Sequence, residues 1–224
     1  MTTAIILAAG KSSRMGAAVD KAFLSLVDKP VVAWSLLAFE RCADIDSIVL
    51  VVRKEQLLAS KAVTKMFGIS KISAIVAGGA KRQESVEAGL AACDVATRYV
   101  VIHDGARPMV TPALVSEVLK AAKRFPAVTV GRPVTDTVKR CEKGSSVTET
   151  VPRDKLWTVQ TPQAFQMRDL VAAHKALGKM EATDDCMAVE LNGGPVKIVQ
   201  WLNPNVKITT VEDLQTAAAL LRQG

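Results

Sequence analysis

Short apolar, β-branched runs alternate with longer stretches of helical periodicity along most of the chain, and this alternation restricts the fold more than any other feature. Residues Ala4 to Ala9, Ile48 to Val52, Ile72 to Val76, Tyr99 to Ile102 and Val128 to Val130 are too short and too rich in branched side chains for helices, and read as buried strands. Between them, Pro30 followed by Val31, Val32, Trp34, Leu36, Leu37 and Phe39 predicts a helix with proline at its first turn. Thr111-Pro112 opens another, reaching about Phe125. Strands that alternate with helices predict an α/β fold with a doubly wound, mostly parallel sheet. Ligands of such sheets lie beyond the carboxyl ends of the strands, so the strand-to-helix turns carry the functional information.

From Arg132 the pattern changes. Pro133 to Arg140, a polar turn from Glu142 to Ser146, and Val147 to Val151 alternate like an exposed hairpin. A two-stranded hairpin is marginal alone in water, so this protruding arm, about residues 133–155, is expected to pack on a second copy of the chain and make a homodimer. Residues Leu156 to Gly224 predict two helices, an apolar strand Val196 to Trp201, a short strand at about Val206 to Ile208 and a closing helix from Val211. With no repeat and no linker, residues 1–224 are expected to form a single domain.

Composition limits the partners. Twenty-nine Lys and Arg against 22 Asp and Glu give a net charge of +7, which favours anions. The basic residues form no continuous run and there are only nine aromatics (three Trp, one Tyr, five Phe), which argues against a nucleic-acid surface and leaves phosphorylated small molecules. No apolar run approaches membrane-spanning length, and the amino terminus has no export pattern. Cys42, Cys93, Cys141 and Cys186 are scattered, with no metal-ligand spacing. A soluble cytoplasmic protein that binds neither membrane nor nucleic acid is expected.

The first strand runs into Leu7-Ala8-Ala9-Gly10-Lys11-Ser12-Ser13-Arg14-Met15-Gly16, with Lys21 following. Small residues let backbone N–H groups approach a triphosphate, and Arg14 and Lys21 supply charge to hold it. The spacing is neither that of a Walker A loop nor that of a dinucleotide-binding loop. Taken alone, the segment could equally be an ordinary glycine turn with solvated cations.

The L-A-A-G-x-x-x-R-M segment with a lysine beyond it resembles the signature of sugar-activating nucleotidyltransferases. Gly78 to Val86 (GGAKRQESV), His103 to Pro108 (HDGARP), Asp136 to Lys139 (DTVK), Thr161-Pro162-Gln163, Thr183-Asp184-Asp185 and Asn205 to Thr209 (NVKIT) follow in the order seen in 2-C-methyl-D-erythritol 4-phosphate cytidylyltransferases. Together these motifs span nearly the whole chain. The resemblance implies a Rossmann-like nucleotidyltransferase fold and transfer of CMP from CTP to a small polyol phosphate. In this family CTP would be met by Ala8, Ala9, Gly10, Gly79, Ala80, Ser85, Asp104 and Gly105, with the turn at Gly79, Ala80 and Ser85 meeting the cytosine edge and ribose. Arg14, Lys21, Arg153 and Lys207 would be catalytic, and Arg107, Asp136, Thr137, Arg153, Thr161 and Thr183 would hold the acceptor phosphate. Asp104 would also bind Mg²⁺ or another divalent cation. Several of these residues have a plainer alternative: Ser85 as a helix cap, Asp104 and Arg107 as a turn-tying ion pair, Lys207 as one surface lysine among many.

On this reading the central obstacle is repulsion, because an anionic phosphate must approach the shielded α-phosphorus of CTP. A phosphate dianion needs no general base, so His103 is expected to be a packed neighbour of Asp104, and His174 a helix-surface residue. The chain departs from the family pattern at three places: Ser12 replaces a frequent glycine, Asp20-Lys21-Ala22 stands where proline precedes and glutamine follows the lysine, and Pro204 stands where some relatives are acidic. Ribitol 5-phosphate as acceptor, or a non-catalytic nucleotide sensor on the same scaffold, are the competing readings.

Overall fold

The structure is a computed structural model and describes residues 1–10, 20–178 and 180–223. In chain order its strands are β1 (Thr2–Ala8), β2 (Ser25–Leu26), β3 (Lys29–Pro30), β4 (Ser47–Val52), β5 (Ile72–Ala77), β6 (Tyr99–Asp104), β7 (Ala127–Pro133), β8 (Val138–Cys141), β9 (Val147–Val151), β10 (Trp157–Gln166) and β11 (Val196–Gln200). The helices are α1 (Val31–Arg41), α2 (Leu57–Met66), α3 (Arg82–Ala91), α4 (Pro112–Ala122), α5 (Met167–Leu177), α6 (Asp185–Leu191) and α7 (Val211–Leu221).

Seven strands form one sheet in the order β11-β7-β10-β6-β1-β4-β5. β1 pairs in parallel with both β4 and β6, β4 with β5, and β11 with β7. Only β10 runs antiparallel, between β6 and β7. Alternation along β1 explains how both faces are covered. Ala4, Ile6 and Ala8 pack with Leu36 and Phe39 of α1 and Leu114 and Val118 of α4, whereas Ile5 packs on the opposite face with Val86 of α3 and Leu170 of α5. All but Ala8 of these side chains are completely buried, each large one stabilising the fold by about 1.5 to 3 kcal/mol.

The chain leaves β1 for β4 and β5 on one side and returns for β6 on the other. The order therefore reverses between β1 and β6, where a crevice opens at the carboxyl ends of the strands. Leu7 is in register with Asp104, and Ala8 with Val52, so the ends of β1, β4 and β6 reach that crevice together.

Three expectations need correction. β10 is absent from the sequence reading, because its polar threonines and glutamines and its Pro162 hide a strand that supplies Ala164 and Phe165 to the core. No strand forms at 206–208: Ile208 N–H donates a single backbone bond to the Ala106 carbonyl (2.8 Å), and no ladder continues it. His174 is buried in α5, with only 7% of its surface exposed, because it faces a carboxylate on the neighbouring helix. The arm has the expected form, β8 and β9 pairing antiparallel with a shift between Arg140 and Cys141. Among the described residues, no helix is long and apolar enough to cross a membrane.

Candidate active site

The crevice is a cleft of about 460 Å³. Its floor is the end of β1, with Leu7, Ala8, Ala9 and Gly10, and one wall is the turn from Gly78 to Lys81. The turn lies tight against β1: a Cβ on Gly78 would stand 2.6 Å from both the Ala9 Cβ and the Ser85 Oγ. A side chain there would push the wall away from the floor, so glycine is needed for the approach.

Ser85 lies in the first turns of α3 instead of capping it. Its buried Oγ accepts from Gly79 N–H (3.2 Å) and donates to the Lys81 carbonyl (3.2 Å). Glu84 accepts from the amides of Ala80 (2.6 Å) and Lys81 (3.2 Å). These bonds shape the turn and leave its small residues facing the cleft.

The opposite wall carries the charge. Asp104, the last residue of β6, accepts from Lys207 Nζ at 2.6 Å. Arg82 Nε lies 3.6 Å from its other oxygen, and Arg107 Nε is 3.9 Å away. Burial alone would raise the Asp104 carboxyl, but Lys207, Arg82 and Arg107 outweigh it and hold the group well below the usual carboxylate range. Asp104 therefore stays ionised at any physiological pH.

The turn that carries Asp104 is fixed by a neutral relay. The Arg107 carbonyl accepts from His103 Nε2 (3.2 Å), which leaves Nδ1 to accept from the Thr161 hydroxyl (3.3 Å), and that hydroxyl accepts from Asp104 N–H (3.0 Å). Burial pushes the His103 pKa down to about 4, which keeps this tautomer neutral. His103 also packs against the Phe39 ring, with centroids 5.2 Å apart. Gly105 N–H donates to the Leu7 carbonyl (2.8 Å), tying the turn to β1.

Lys207 reaches the cleft from the far end of the sequence because its segment is pinned on both sides. Asn205 Nδ2 donates to the carbonyl of Thr161 (2.9 Å) and to Gln160 Oε1 (3.0 Å), while Arg107 donates to the Asn205 carbonyl (2.8 Å). Lys21, also in the cleft, sits in a short turn held by Asp20. The Asp20 carboxylate accepts from Ala22 N–H (3.2 Å) and from Arg53, with Nε and Nη2 both at 3.0 Å.

The expected residues thus divide. Ala8, Ala9, Gly10, Lys21, Gly79, Ala80, Ser85, Asp104 and Lys207 line one cleft. Gly105, Arg107 and Thr161 stand behind it, with Arg107 and Thr161 buried. Asp136, Thr137, Arg153 and Thr183 are exposed and outside the cleft lining; Arg153 donates to the Thr135 carbonyl, and Thr183 to Met187 Sδ (3.4 Å). Arg14 lies outside the described residues. Sequence reasoning missed Arg82 and Arg53, both in the cleft. Arg82 is inside the G-G-A-K-R-Q-E-S-V motif, and its charge at a helix start beside a phosphate-sized cleft was the available signal.

Among the described residues, no three His, Cys, Asp or Glu side chains gather as a metal cage. Asp104 offers its carboxylate at the strand end beside a surplus of cations, with Glu55 the other acidic residue of the lining among the described residues. Such a donor set fits a divalent ion that arrives on a nucleotide triphosphate and takes one protein oxygen.

The family model for 2-C-methyl-D-erythritol 4-phosphate cytidylyltransferase (IspD) matches residues 2–223. The protein of that name from Desulforamulus reducens is 45% identical over 223 residues, covering 98% of this chain and 95% of its own length. The structure of 4-diphosphocytidyl-2C-methyl-D-erythritol synthase from Anaerococcus prevotii superimposes with a TM-score of 0.86 at 32% identity, covering 99% of this chain and 96% of its own. That of 2-C-methyl-D-erythritol 4-phosphate cytidylyltransferase from Thermus thermophilus gives 0.80 at 33% identity, covering 97% and 98%. With the strand-end cleft, the glycine turn and Asp104 in place, the chain belongs to the 2-C-methyl-D-erythritol 4-phosphate cytidylyltransferase family of nucleotidyltransferases.

Proposed function

We propose that the protein transfers CMP from CTP to 2-C-methyl-D-erythritol 4-phosphate, giving 4-diphosphocytidyl-2-C-methyl-D-erythritol and pyrophosphate, a step of isoprenoid precursor synthesis. The observation that carries this reading is the pairing, in a member of this family, of a glycine turn beside small strand-end residues with Lys21, Arg82 and Lys207 in one cleft. The turn at Gly79 and Ala80, with Ser85, meets the cytidine. Ala8, Ala9 and Gly10 offer a surface without bulk along which the triphosphate lies.

A phosphate oxygen of the acceptor attacks the α-phosphorus of CTP, forming one P–O bond while the bond to the β-phosphate bridge breaks and pyrophosphate leaves. No proton has to move, since the attacking dianion already has its electron pair. Catalysis therefore consists of alignment and neutralisation. Lys207, 39% exposed and already in the cleft, can turn its ammonium from Asp104 to the α-phosphate, and Lys21 faces it. Arg14 completes this charge set on the family pattern. Asp104 would hold a Mg²⁺ bound to the phosphates, which supplies further charge neutralisation at the leaving pyrophosphate.

Asp136, Thr137, Arg153 and Thr183 are assigned to the acceptor side, while Arg107 and Thr161, buried behind Asp104, hold its turn in place instead of meeting the acceptor. In the first group every residue is exposed, and Val147 of the arm, with Trp157 and Val159 at the adjoining start of β10, stands in solvent at 57%, 37% and 45% exposure. We infer a homodimer in which the arm at 133–155 covers these apolar side chains and brings its polar residues to the partner's cleft. Residues 1–224 act as one unit in this scheme. Four unpaired cysteines suit a reducing cytoplasm, and burial pushes the Cys93 thiol up to about 11, where it is inert.

Pyrophosphate release with CTP and Mg²⁺ tests the assignment. Release is expected with methylerythritol 4-phosphate at a rate at least about tenfold above that with ribitol 5-phosphate, and none without acceptor. The reverse ratio would change the acceptor and keep the chemistry. Absence of release with either acceptor would refute the reaction.

A further inference from the structure

The Thr183-Asp184-Asp185 motif contains a carboxylate that the reaction above leaves unused. Asp185 opens α6 and is only 2% exposed, yet it is bonded on both oxygens. Its Oδ1 lies 3.0 Å from His174 Nε2 of α5, and its Oδ2 accepts from Arg82 Nη1 of α3 at 2.7 Å. Arg82 in turn points its Nε at Asp104, 3.6 Å away. One guanidinium therefore spans two buried carboxylates, held tightly by the one remote from the cleft and loosely by the one inside it.

This asymmetry has a consequence for nucleotide binding. Asp104 already accepts from Lys207 on one oxygen. If Arg82 closed on the other oxygen, both faces of that carboxylate would be occupied and Arg82 would be withdrawn from the phosphates. Asp185 prevents this by competing for the guanidinium from behind. It also removes most of the rotamer freedom that a long cationic side chain would otherwise lose on meeting a ligand. His174, buried beside it, keeps the Asp185 carboxylate facing Arg82.

We infer that Asp185 is a positioning residue for CTP: it holds Arg82 open over the cleft and stops it from closing on Asp104. The inference rests on the cleft being the CTP site, as proposed above. Asp185 acts through Arg82 and touches no substrate.

The test combines steady-state pyrophosphate release with calorimetric titration of CTP in Mg²⁺ buffer, for wild type, Asp185→Asn, Arg82→Gln and the double variant. Asp185→Asn is expected to raise the KM for CTP and weaken CTP binding by about tenfold, with kcat within about threefold of wild type. A merely structural role would lower the active fraction, and so kcat, without moving KM. The double variant is expected to match Arg82→Gln alone, since Asp185 has nothing left to position. Asp185→Glu, which keeps the charge, is expected to restore most of the affinity. Unchanged CTP binding in Asp185→Asn, or a further loss when it is added to Arg82→Gln, would overturn the inference. Should Asp185→Asn not fold, Arg82→Lys reads the same geometry, because a lysine cannot span both carboxylates; wild-type CTP affinity there would also overturn it. If wild type neither binds CTP nor releases pyrophosphate, the proposed reaction fails; if wild type does both and the variants match it, only this inference fails.

Discussion

At the cleft, Asp104 has 12% of its side chain exposed and meets cations brought by three separate segments: Arg82, Arg107 and Lys207. On the arm, Arg140 and Glu149 form a cross-strand pair at 3.1 Å with 68% and 49% of their side chains in solvent. The first set centres on a nearly buried carboxylate and is fixed by bonds to β10 and the 205–208 segment, although Arg82 and Lys207 keep 30% and 39% of their side chains exposed. The second is screened and contributes at most about 1 kcal/mol. One chain therefore builds the charged cleft from its own converging segments, whereas its arm is a two-stranded ladder whose side chains stand mostly in solvent.

The largest expected effect is at the cleft. Lys207→Ala should lower kcat about 10²- to 10³-fold, about 3 to 4 kcal/mol, while the urea midpoint stays close to wild type; Asp104 keeps Arg82 and Arg107 nearby. Loss of fold in that variant would show that the cleft charges are structural first.

The arm is probed by complementation. Arg153→Ala and Lys207→Ala are each expected to be nearly inactive, but mixing and re-equilibrating them should recover about a quarter of wild-type activity. Half the dimers are then mixed, and each mixed dimer has one intact site if the arm serves its partner. A mixture no more active than its components would place Arg153 in its own chain's site and erase the contrast between the two regions.

Acidification tests the relay behind Asp104. Unfolded His103 takes a proton near its ordinary 6.5, whereas in the fold burial lowers that to about 4. Between these values the unfolded chain binds more protons, so the stability is complete above about pH 6.5 and is lost as pH falls towards 4. His103 should account for about 2 kcal/mol of destabilisation at pH 5 relative to pH 7, read as the part of the urea-unfolding difference that disappears in His103→Asn.

The smallest effect concerns the Lys21 turn. Asp20→Ala is expected to slow turnover about tenfold, about 1.4 kcal/mol, and adding Arg53→Ala should cost little more, because both act through one ion pair. Additive losses would show that Arg53 acts on the nucleotide directly.

Much of the frame was legible in sequence because burial on both faces of a parallel sheet leaves continuous apolar runs, as at Ile48 to Val52, and because helix starts such as Thr111-Pro112 carry local capping chemistry. β10 was not, since an antiparallel strand with Thr, Gln and Pro at its bend shows neither signal. His174 misled for a related reason: a polar residue on an amphipathic helix looks solvent-facing until a second helix presents a carboxylate to it.

The sequence by itself determined the strand-helix alternation, the small-residue floor at Ala8 to Gly10 and the motifs that place the chain in its family. Each is encoded by neighbours within a few residues. Only the tertiary structure decided that Lys207, Arg82 and Asp104 share one wall, that Asp185 stands behind Arg82, and that Arg107 and Thr161 support the turn. Those relations join residues up to 103 positions apart, and they exist only where the sheet order reverses and brings distant strand ends and helix starts to a common crevice.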